Sequence, residues 1–232
     1  MSTKYSPQIV TTGLVLALDA ANKVSYRGSG TTWTDLSGNN NTGTLVNSPT
    51  FSNSYLTFNG TNQYVNVANS TSLQVTATFT VCAWVYPTTL AARYAVFSTR
   101  ATNPAGGWQL EIGSTGIGSL SVNRIAFTGV GTWIAETFDN VLTTNRWWFI
   151  CLTKVNNATT GGTFYINGTS VANRQTNTYT ITNNADVKRI GTSSGTSELF
   201  PGRIALTSLY NRTLSAAEIL QNYNANKSRF GL

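Results

Sequence analysis

The segment 78–87, TFTVCAWVYP, constrains the fold more than any other part of the sequence. In a β-strand, successive side chains point to opposite faces, and both sets are apolar here. One set includes Phe79 and Val81, and the other includes Cys82 and Trp84. The final proline ends the strand, because it has no backbone N–H to donate. We therefore predict a central strand that is covered on both sides.

Further short strands are predicted along most of the chain. Asn-Gly pairs at 59–60 and 167–168 supply residues that tolerate positive φ, so they predict tight hairpins over 55–67 and 162–171. Strands do not alternate with helices, which excludes a parallel α/β sheet and favours an antiparallel sandwich or jelly roll. The other predicted strands cover 9–18, 94–99, 108–112, 124–128, 133–138, 146–155, 187–191 and 203–210.

A single helix is predicted at 215–226, close to the C-terminus. Ser215 and Glu218 have the spacing of a capping box, and Leu214 with Ile219 has that of a hydrophobic staple. One apolar stripe should face the body of the protein. The stripe consists of Ala216, Ile219, Leu220 and Tyr223.

The composition excludes several function classes. The chain has no histidine, which removes Ser-His-Asp and Cys-His catalysis and the commonest transition-metal ligand. The net charge is +7, but the basic residues are scattered, so we expect no specific nucleic-acid binding. No apolar segment near the N-terminus is long enough for membrane insertion. Cys82 and Cys151 lie in strand patterns and are predicted to be buried thiols, while their pairing depends on a register that the sequence leaves open.

Several segments together carry a family resemblance. Taken in order, they resemble the laminin-G-like jelly rolls of the concanavalin A-like lectin/glucanase superfamily. The resemblance implies an all-β, concanavalin A-like antiparallel jelly-roll sandwich with one short C-terminal helix. It also implies a single laminin-G-like domain at 13–232, preceded by an N-terminal arm or edge strand at 1–12. The segments are 13–19, 33–38, 56–60, 64–67, 79–84, 148–153, 164–168 and the helix.

A narrower resemblance concerns both ends of the chain. Residues 4–10, 13–22 and 218–232 are similar to virion structural proteins of tailed, cyanophage-like bacteriophages. The resemblance implies a non-enzymatic capsid decoration or head-fibre subunit that forms a homo-oligomer. It would be made in the host cytoplasm, lie on the outer surface of the phage head and contact the major capsid protein or other virion proteins. The alternative is a carbohydrate-binding tail-fibre adhesin that attaches to host surface glycans.

Glycoside hydrolysis needs two carboxylates that flank the scissile bond. Glu111 lies within a predicted strand, but Gln109 stands two residues before it, where a second acid would be wanted. Glu136 and Asp139 lie at a strand end and in a turn, which does not direct both at one sugar. We therefore predict that the protein is not an enzyme, and that Glu111 is an ordinary outward-facing strand residue.

No cofactor is predicted, and calcium is the one metal with candidate ligands. Carboxylates at strand ends and in loops supply the oxygen atoms that calcium prefers. Their alternative role is to cap turns through hydrogen bonds to the backbone. The candidates are Asp19, Asp35, Asp139 and Asp186.

Glycan binding would use an exposed aromatic ring with polar neighbours. Trp108 follows a loop that contains Asn103, and Trp133 follows a glycine-rich turn. Both tryptophans, with Asn103, are therefore candidates for a sugar-binding surface. The alternative is that the rings pack at the rim of the sandwich, because tryptophan is usually largely buried.

Overall fold

The chain folds into two antiparallel β-sheets that face each other, with one α-helix against the outside of one sheet. The computed structural model describes residues 8–100, 106–114, 122–155, 162–175, 180–182 and 184–232. The helix α1 spans Ala216–Asn226, and short 3-10 turns lie at Thr71–Leu73 and Lys227–Phe230. The strands are β1 (Leu14–Asp19), β2 (Thr32–Trp33), β3 (Gly43–Val46), β4 (Thr50–Ser52), β5 (Tyr55–Asn59), β6 (Tyr64–Val67), β7 (Phe79–Pro87), β8 (Arg93–Ser98), β9 (Trp108–Gly113), β10 (Arg124–Gly129), β11 (Thr132–Thr137), β12 (Trp148–Lys154), β13 (Thr163–Ile166), β14 (Thr169–Val171), β15 (Asn173–Gln175), β16 (Lys188–Ile190) and β17 (Pro201–Tyr210).

Sheet A has eight strands in the order β14-β13-β12-β7-β17-β5-β4, and β1 also pairs with β17. Along one edge β17 pairs with β7, and along the other it pairs first with β5 and then with β1. Sheet B has nine strands in the order β15-β11-β10-β9-β8-β16-β6-β3-β2. This arrangement confirms the predicted all-β antiparallel sandwich with one short C-terminal helix.

The main core lies between the two sheets. Phe79 of β7 stacks on Trp108 of β9, with ring centroids 4.3 Å apart. Phe97 and Phe127 pack against the same tryptophan. Strands such as β7 and β9 contribute alternate residues to this core, so the residues between them point outward from the sandwich.

A second, smaller core lies between sheet A and α1. Cys82 and Trp84 point away from the main core and are fully buried, together with Ile219 of the helix. The rings of Phe230 and Tyr223 stack on Trp84, with centroids 4.2 and 5.7 Å away. The helix and the chain after it therefore explain why β7 is apolar on both faces, as the sequence predicts.

Cys82 and Cys151 form a disulfide in this second core. They face each other directly across β7 and β12, with their Cα atoms 4.1 Å apart. The prediction that both cysteines are buried is therefore confirmed, and the prediction that they are free thiols is wrong. The two residues are 69 positions apart in the sequence, so only the pairing of the strands brings them together.

The two Asn-Gly pairs have different outcomes. Asn167 and Gly168 both have positive φ and join β13 to β14 in the predicted hairpin. The hairpin predicted over 55–67 is wrong, because β5 belongs to sheet A and β6 to sheet B. The turn after Asn59 carries the chain from one sheet to the other, and the Asn59 side chain accepts hydrogen bonds from the backbone N–H groups that follow it.

The helix begins as predicted. Ser215 and Glu218 form a complete capping box, and Leu214 and Ile219 are both buried. Leu220, predicted to lie on the buried stripe, is 44% exposed, so that part of the prediction is wrong. No helix among the described residues is long and apolar enough to span a bilayer.

Residues 8–12 contain no β-strand, and hydrogen bonds hold them to the C-terminal region. The backbone N–H of Val10 donates to Asn222 Oδ1 over 2.8 Å, and the Tyr210 hydroxyl donates to the Val10 carbonyl over 2.9 Å. The Gln221 side chain donates to the Gln8 carbonyl over 2.7 Å. The described part of the predicted arm therefore packs on the same domain.

Candidate functional site

The outer face of sheet B carries a group of charged side chains. On β9, Leu110 and Ile112 point into the main core, so Glu111 between them points outward. The strand register places Glu111, Ala126 and Glu136 side by side on three neighbouring strands. Two carboxylates thus lie two strands apart on one face, with Ala126 on the strand between them.

Arg124, two residues before Ala126 on β10, bridges the two carboxylates. Its Nη2 lies 3.2 Å from Glu111 Oε1, and its Nε lies 2.7 Å from Glu136 Oε2. All three side chains have an exposed fraction of 0%. Such a buried arrangement is tolerated only because opposite charges are paired with short contacts.

Further ion pairs extend this group. Arg93 makes ion pairs with both Glu198 and Glu111, and Arg174 Nε donates to Glu136 Oε1 over 2.8 Å. These two arginines are partly exposed, at 29% and 38% of the side chain. We call the whole set the ion-pair cluster. It comprises Glu111, Glu136, Glu198, Arg93, Arg124 and Arg174.

Two neutral side chains complete the hydrogen bonding around Glu111. Gln109 Nε2 donates to Glu111 Oε2 over 2.9 Å and also to Glu198. The Thr128 hydroxyl donates to Glu111 Oε2 over 3.3 Å. Because both amide hydrogens of Gln109 face carboxylates, the orientation of this amide is fixed by its neighbours.

Trp133 of β11 lies on the same face and is half-buried. The guanidinium carbons of Arg124 and Arg93 lie 4.5 and 4.8 Å from the centre of its ring. A register shift in the pairing of β10 with β11 lets Trp133 and Glu136, three residues apart, share one face. The ring is therefore held in place by two cation–π contacts.

Burial changes the protonation equilibria of the cluster. Burial raises the pKa of Glu111, and the positive charges of Arg93 and Arg124 oppose that rise. Burial also lowers the pKa of Arg124, while Glu111 and Glu136 oppose this. Burial therefore disfavours the charged forms of Glu111 and Arg124, and their ion pairs oppose that effect.

The predicted glycan residues have different positions. Trp108 is 1% exposed and stacks in the main core, so the prediction of an exposed ring there is wrong. Trp133 remains on an outer face. Asn103 lies outside the described residues. Glu111 points outward, as expected, but it is fully buried by its ion pairs, so it is not an ordinary exposed strand residue.

Two of the calcium candidates are engaged in hydrogen bonds. Asp35 accepts backbone N–H groups from Ala17, Ser37 and Asn41 at 2.8–2.9 Å, which fixes the loop around it. Asp19 pairs with Arg229 at 2.8 Å.

The other two candidates lie in loops. Asp139 is exposed and accepts a hydrogen bond from the backbone N–H of Val122 over 3.1 Å. Asp186 lies in the loop before β16, where its carbonyl accepts from Lys188 Nζ over 3.0 Å. Among the residues that the structure describes, no three Asp, Glu, Cys or His side chains come close enough together to hold a metal ion.

Sequence reasoning missed most of the ion-pair cluster. It considered Glu111 and Glu136 separately, and it gave no role to Glu198 or to the arginines. One signal was present in the sequence. Arg124 is a charged residue at the start of a mainly apolar strand, where it needs a partner of opposite charge if it is buried. The partners lie on different strands, however, and only their register brings them together.

Two facing antiparallel sheets with a helix on one outer face define a concanavalin A-like sandwich. Residues 59–220 match a laminin-G-type family model described as the concanavalin A-like lectin/glucanases superfamily. The chain belongs to this superfamily. No curated protein sequence matches the chain.

Solved structures share the fold at low sequence identity. Domain 4 of AbnA, a GH43 extracellular arabinanase from Geobacillus stearothermophilus solved with arabinotriose, is 17% identical to this chain and has a TM-score of 0.68. The match covers 90% of this chain and 98% of that domain. Trypanosoma rangeli sialidase in complex with sialic acid is 16% identical and has a TM-score of 0.65. The match covers 93% of this chain but only 33% of the sialidase. The receptor-binding domain of botulinum neurotoxin type G is 20% identical and has a TM-score of 0.63. That match covers 91% of this chain and 51% of the neurotoxin chain.

Proposed function

We propose that the protein is a carbohydrate-recognition domain that does not hydrolyse its ligand, and that the glycan binds on the outer face of sheet B beside Trp133. The observation that carries this proposal is the half-buried Trp133 ring, held by contacts with Arg93 and Arg124 next to the paired carboxylates. Binding sites combine an apolar surface with a few well-placed polar groups, and this face offers both.

The ion pairs argue against hydrolysis. A glycosidase needs one carboxyl group as acid and a second carboxylate as base or nucleophile, with room for the sugar between them. Arg124 connects Glu111 to Glu136 instead, and Arg174 also binds Glu136. The raised pKa of Glu111 would suit a general acid, but Glu136 is held by two guanidinium groups at 2.7 and 2.8 Å.

The geometry suits a polyhydroxylated ligand. A ring face on Trp133 can cover the apolar side of a sugar, and the partly exposed Arg93 guanidinium beside it presents N–H donors in fixed directions. Because ion pairs already hold these side chains, little side-chain entropy would be lost on binding. The likeness to the AbnA domain, solved with arabinotriose, supports this choice within the superfamily.

Glycan-array binding and titration calorimetry test the proposal with Trp133→Ala. We expect at least a tenfold loss of affinity for any glycan that the native protein binds. Trp147→Ala is the matched control, because Trp147 is half-buried on the other sheet and should leave binding unchanged. Binding that survives Trp133→Ala, or release of reducing sugar by the native protein, would contradict the proposal.

A virion structural role is the second candidate, and one observation favours it. The described parts of the terminal segments that resemble phage virion proteins, residues 8–10, 13–22 and 218–232, meet in the structure. Val10 and Asn222 are hydrogen-bonded, and Arg229 pairs with Asp19 at 2.8 Å. These segments form one continuous unit beside α1, which could face a capsid surface.

Cryo-electron microscopy of purified virions tests this second candidate by copy number and position. Capsid co-sedimentation of the full chain and of a chain lacking residues 1–7 provides a direct comparison. Density on the head and binding that depends on these residues would support a decoration subunit. Density at a tail-fibre tip would support the adhesin, and density at neither place would exclude both.

A further inference from the structure

We infer that the glycan is acidic and that its carboxylate binds Arg100 and Arg189 at one end of the outer face of sheet B. This inference rests on the proposed function, because it names the ligand class of the same face. It depends on a charge balance, a row of aligned side chains and two buried polar atoms.

The charge balance of this face is positive. Each glutamate of the ion-pair cluster already contacts arginine: Glu111 contacts Arg93 and Arg124, Glu136 contacts Arg124 and Arg174, and Glu198 contacts Arg93. Arg100 and Arg189 bring the arginines on this face to five, against three glutamates. The described arginines of this face therefore outnumber its glutamates by two.

Arg100 and Arg189 both lie close to Ser98, at the end of β8 where it meets β16. Arg189 pairs with Ser98 of β8, and Arg100 follows Ser98 by two residues. Arg100 Nη1 reaches Glu198 only at 4.0 Å, the outer limit for an ion pair. Arg189 points away from the main core, because Ile190 beside it is in that core.

Two buried polar atoms in the same cross-strand row lack hydrogen-bond partners among the described residues. They are Arg189 Nη1, a donor, and Gln109 Oε1, an acceptor. The register aligns Arg189, Ser98, Gln109, Thr128 and Trp133 across five strands. A ligand with both an acceptor group and hydroxyl donors would satisfy both atoms, and a sugar acid has this combination.

The length of this row sets the size of the ligand. Four strand spacings of about 4.8 Å separate Arg189 from Trp133, which gives roughly 19 Å. A glycan that contacts both residues must therefore be an oligosaccharide long enough to span this distance. Planar guanidinium groups bind carboxylates with two parallel hydrogen bonds, which makes arginine well suited to this role.

A single-stranded nucleic acid is less suitable for the same surface. Its phosphates would have to pass close to Glu111, Glu136 and Glu198, which lie beside the row. The excess of arginine is at the Arg100–Arg189 end. Recognition of one terminal or regularly spaced carboxylate suits this uneven distribution better than recognition of a continuous polyanion.

Calorimetric titration with paired ligands tests the inference. The probes are sialyllactose, a hyaluronan oligosaccharide and an oligogalacturonate, each beside its carboxyl-reduced form, and an oligothymidylate. The variants are Arg100→Gln/Arg189→Gln and, as a control, Arg203→Gln on the outer face of sheet A. We expect the double variant to lose at least tenfold in affinity for the acidic form of the ligand that binds, and to keep its affinity for the reduced form.

The outcomes separate the inference from the proposed function. Equal affinity for the acidic and reduced forms overturns the inference, and so does a double variant whose affinity for the acidic form is unchanged. The proposed function still stands in that case if the protein binds neutral glycans in a way that depends on Trp133. Binding of oligothymidylate that depends on the two arginines overturns it in favour of nucleic acid. If no glycan on a broad array binds, both fail. Binding of the acidic form should also weaken with added salt, because partly exposed charges are screened.

Discussion

The outer faces of the two sheets are completed in opposite ways. On sheet A, the outward residues Cys82 and Trp84 are apolar and lie beneath α1. On sheet B, the outward residues Glu111, Arg124 and Glu136 are charged, yet they are just as deeply buried. A helix supplies burial on one face, and a network of ion pairs supplies it on the other.

This difference separates stability from function within one fold. Apolar burial under α1 stabilises the sandwich and leaves few polar groups to recognise a ligand. A buried ion-pair network adds little net stability, because desolvation offsets most of the attraction between the charges. A network of this kind is therefore a better indication of a functional site than of a structural requirement.

The largest effect should come from removing one member of the network. Arg124→Met leaves Glu111 and Glu136 buried without their shared partner, so we expect the free energy of unfolding to fall by about 3–5 kcal/mol. Urea denaturation followed by tryptophan fluorescence measures this change.

The triple variant Glu111→Leu/Arg124→Met/Glu136→Leu is the control for that prediction. Because it removes the charges together, it should recover most of the lost stability while losing glycan binding. A triple variant as unstable as Arg124→Met would mean that sheet B depends on its ion pairs in the way that sheet A depends on its helix.

The two faces also differ in how far they can be predicted from sequence. The outward apolar residues of β7 predict a covering layer, and the Ser215 capping box locates the helix, because both are local patterns. The network cannot be predicted in this way, since Glu111, Arg124 and Glu136 come from three strands whose register is not local. The same limit explains the error at 55–67, where a sheet-to-sheet crossing has the local pattern of a hairpin, and the missed Cys82–Cys151 pair.

The second largest effect concerns the disulfide under the helix. Cys82→Ala/Cys151→Ala removes a cross-link between residues 69 positions apart, so the unfolded chain gains conformational freedom. We expect a loss of roughly 2–4 kcal/mol in the free energy of unfolding. Thermal unfolding of the variant beside the native protein measures it. Identical melting temperatures, with mass spectrometry showing free thiols in the native protein, would contradict the cross-link.

Alkaline titration reports on the side of sheet B. Lys188 is buried, and burial lowers its pKa from 10.5 to about 8, although its ammonium donates to the Asn184 and Asp186 carbonyls. Between these pH values the unfolded state binds more protons than the folded state, so stability should rise with pH. The gain is at most about 3 kcal/mol, and it is absent below pH 8.

The variant Lys188→Met is the control, because it should abolish this rise. Above pH 10 the trend should reverse, since burial raises the pKa of Tyr210 from 10.0 to about 12, and the folded state then retains a proton that the unfolded state loses. Urea midpoints measured from pH 7 to 11 follow both changes. A midpoint that falls steadily from pH 8 to 10 in the native protein would contradict the assignment to Lys188.

Acid titration reports on the side of sheet A, with a smaller effect. The Arg212 guanidinium and the Ser215 backbone lower the pKa of Glu218 from 4.5 to about 2. The folded state therefore gains stability above pH 4.5 and loses it as the pH falls to 2. At pH 7, Ser215→Ala should cost about 1 kcal/mol through loss of the helix cap. Parallel acid unfolding of Glu218→Gln, which should show a weaker dependence between pH 4.5 and 2, provides the control.

The smallest effect is expected at Leu220, and its buried neighbour Ile219 on α1 serves as the comparison. Leu220 is 44% exposed, so Leu220→Ala should change the free energy of unfolding by less than about 0.5 kcal/mol. Ile219 is fully buried against sheet A, so Ile219→Ala should cost roughly 2–5 kcal/mol. Thermal melts of both variants, measured together, test whether one face of the helix or its whole surface contributes to the second core. A large loss for Leu220→Ala would mean that another surface covers that side chain in solution, and the outer face of sheet A would then also be an interface.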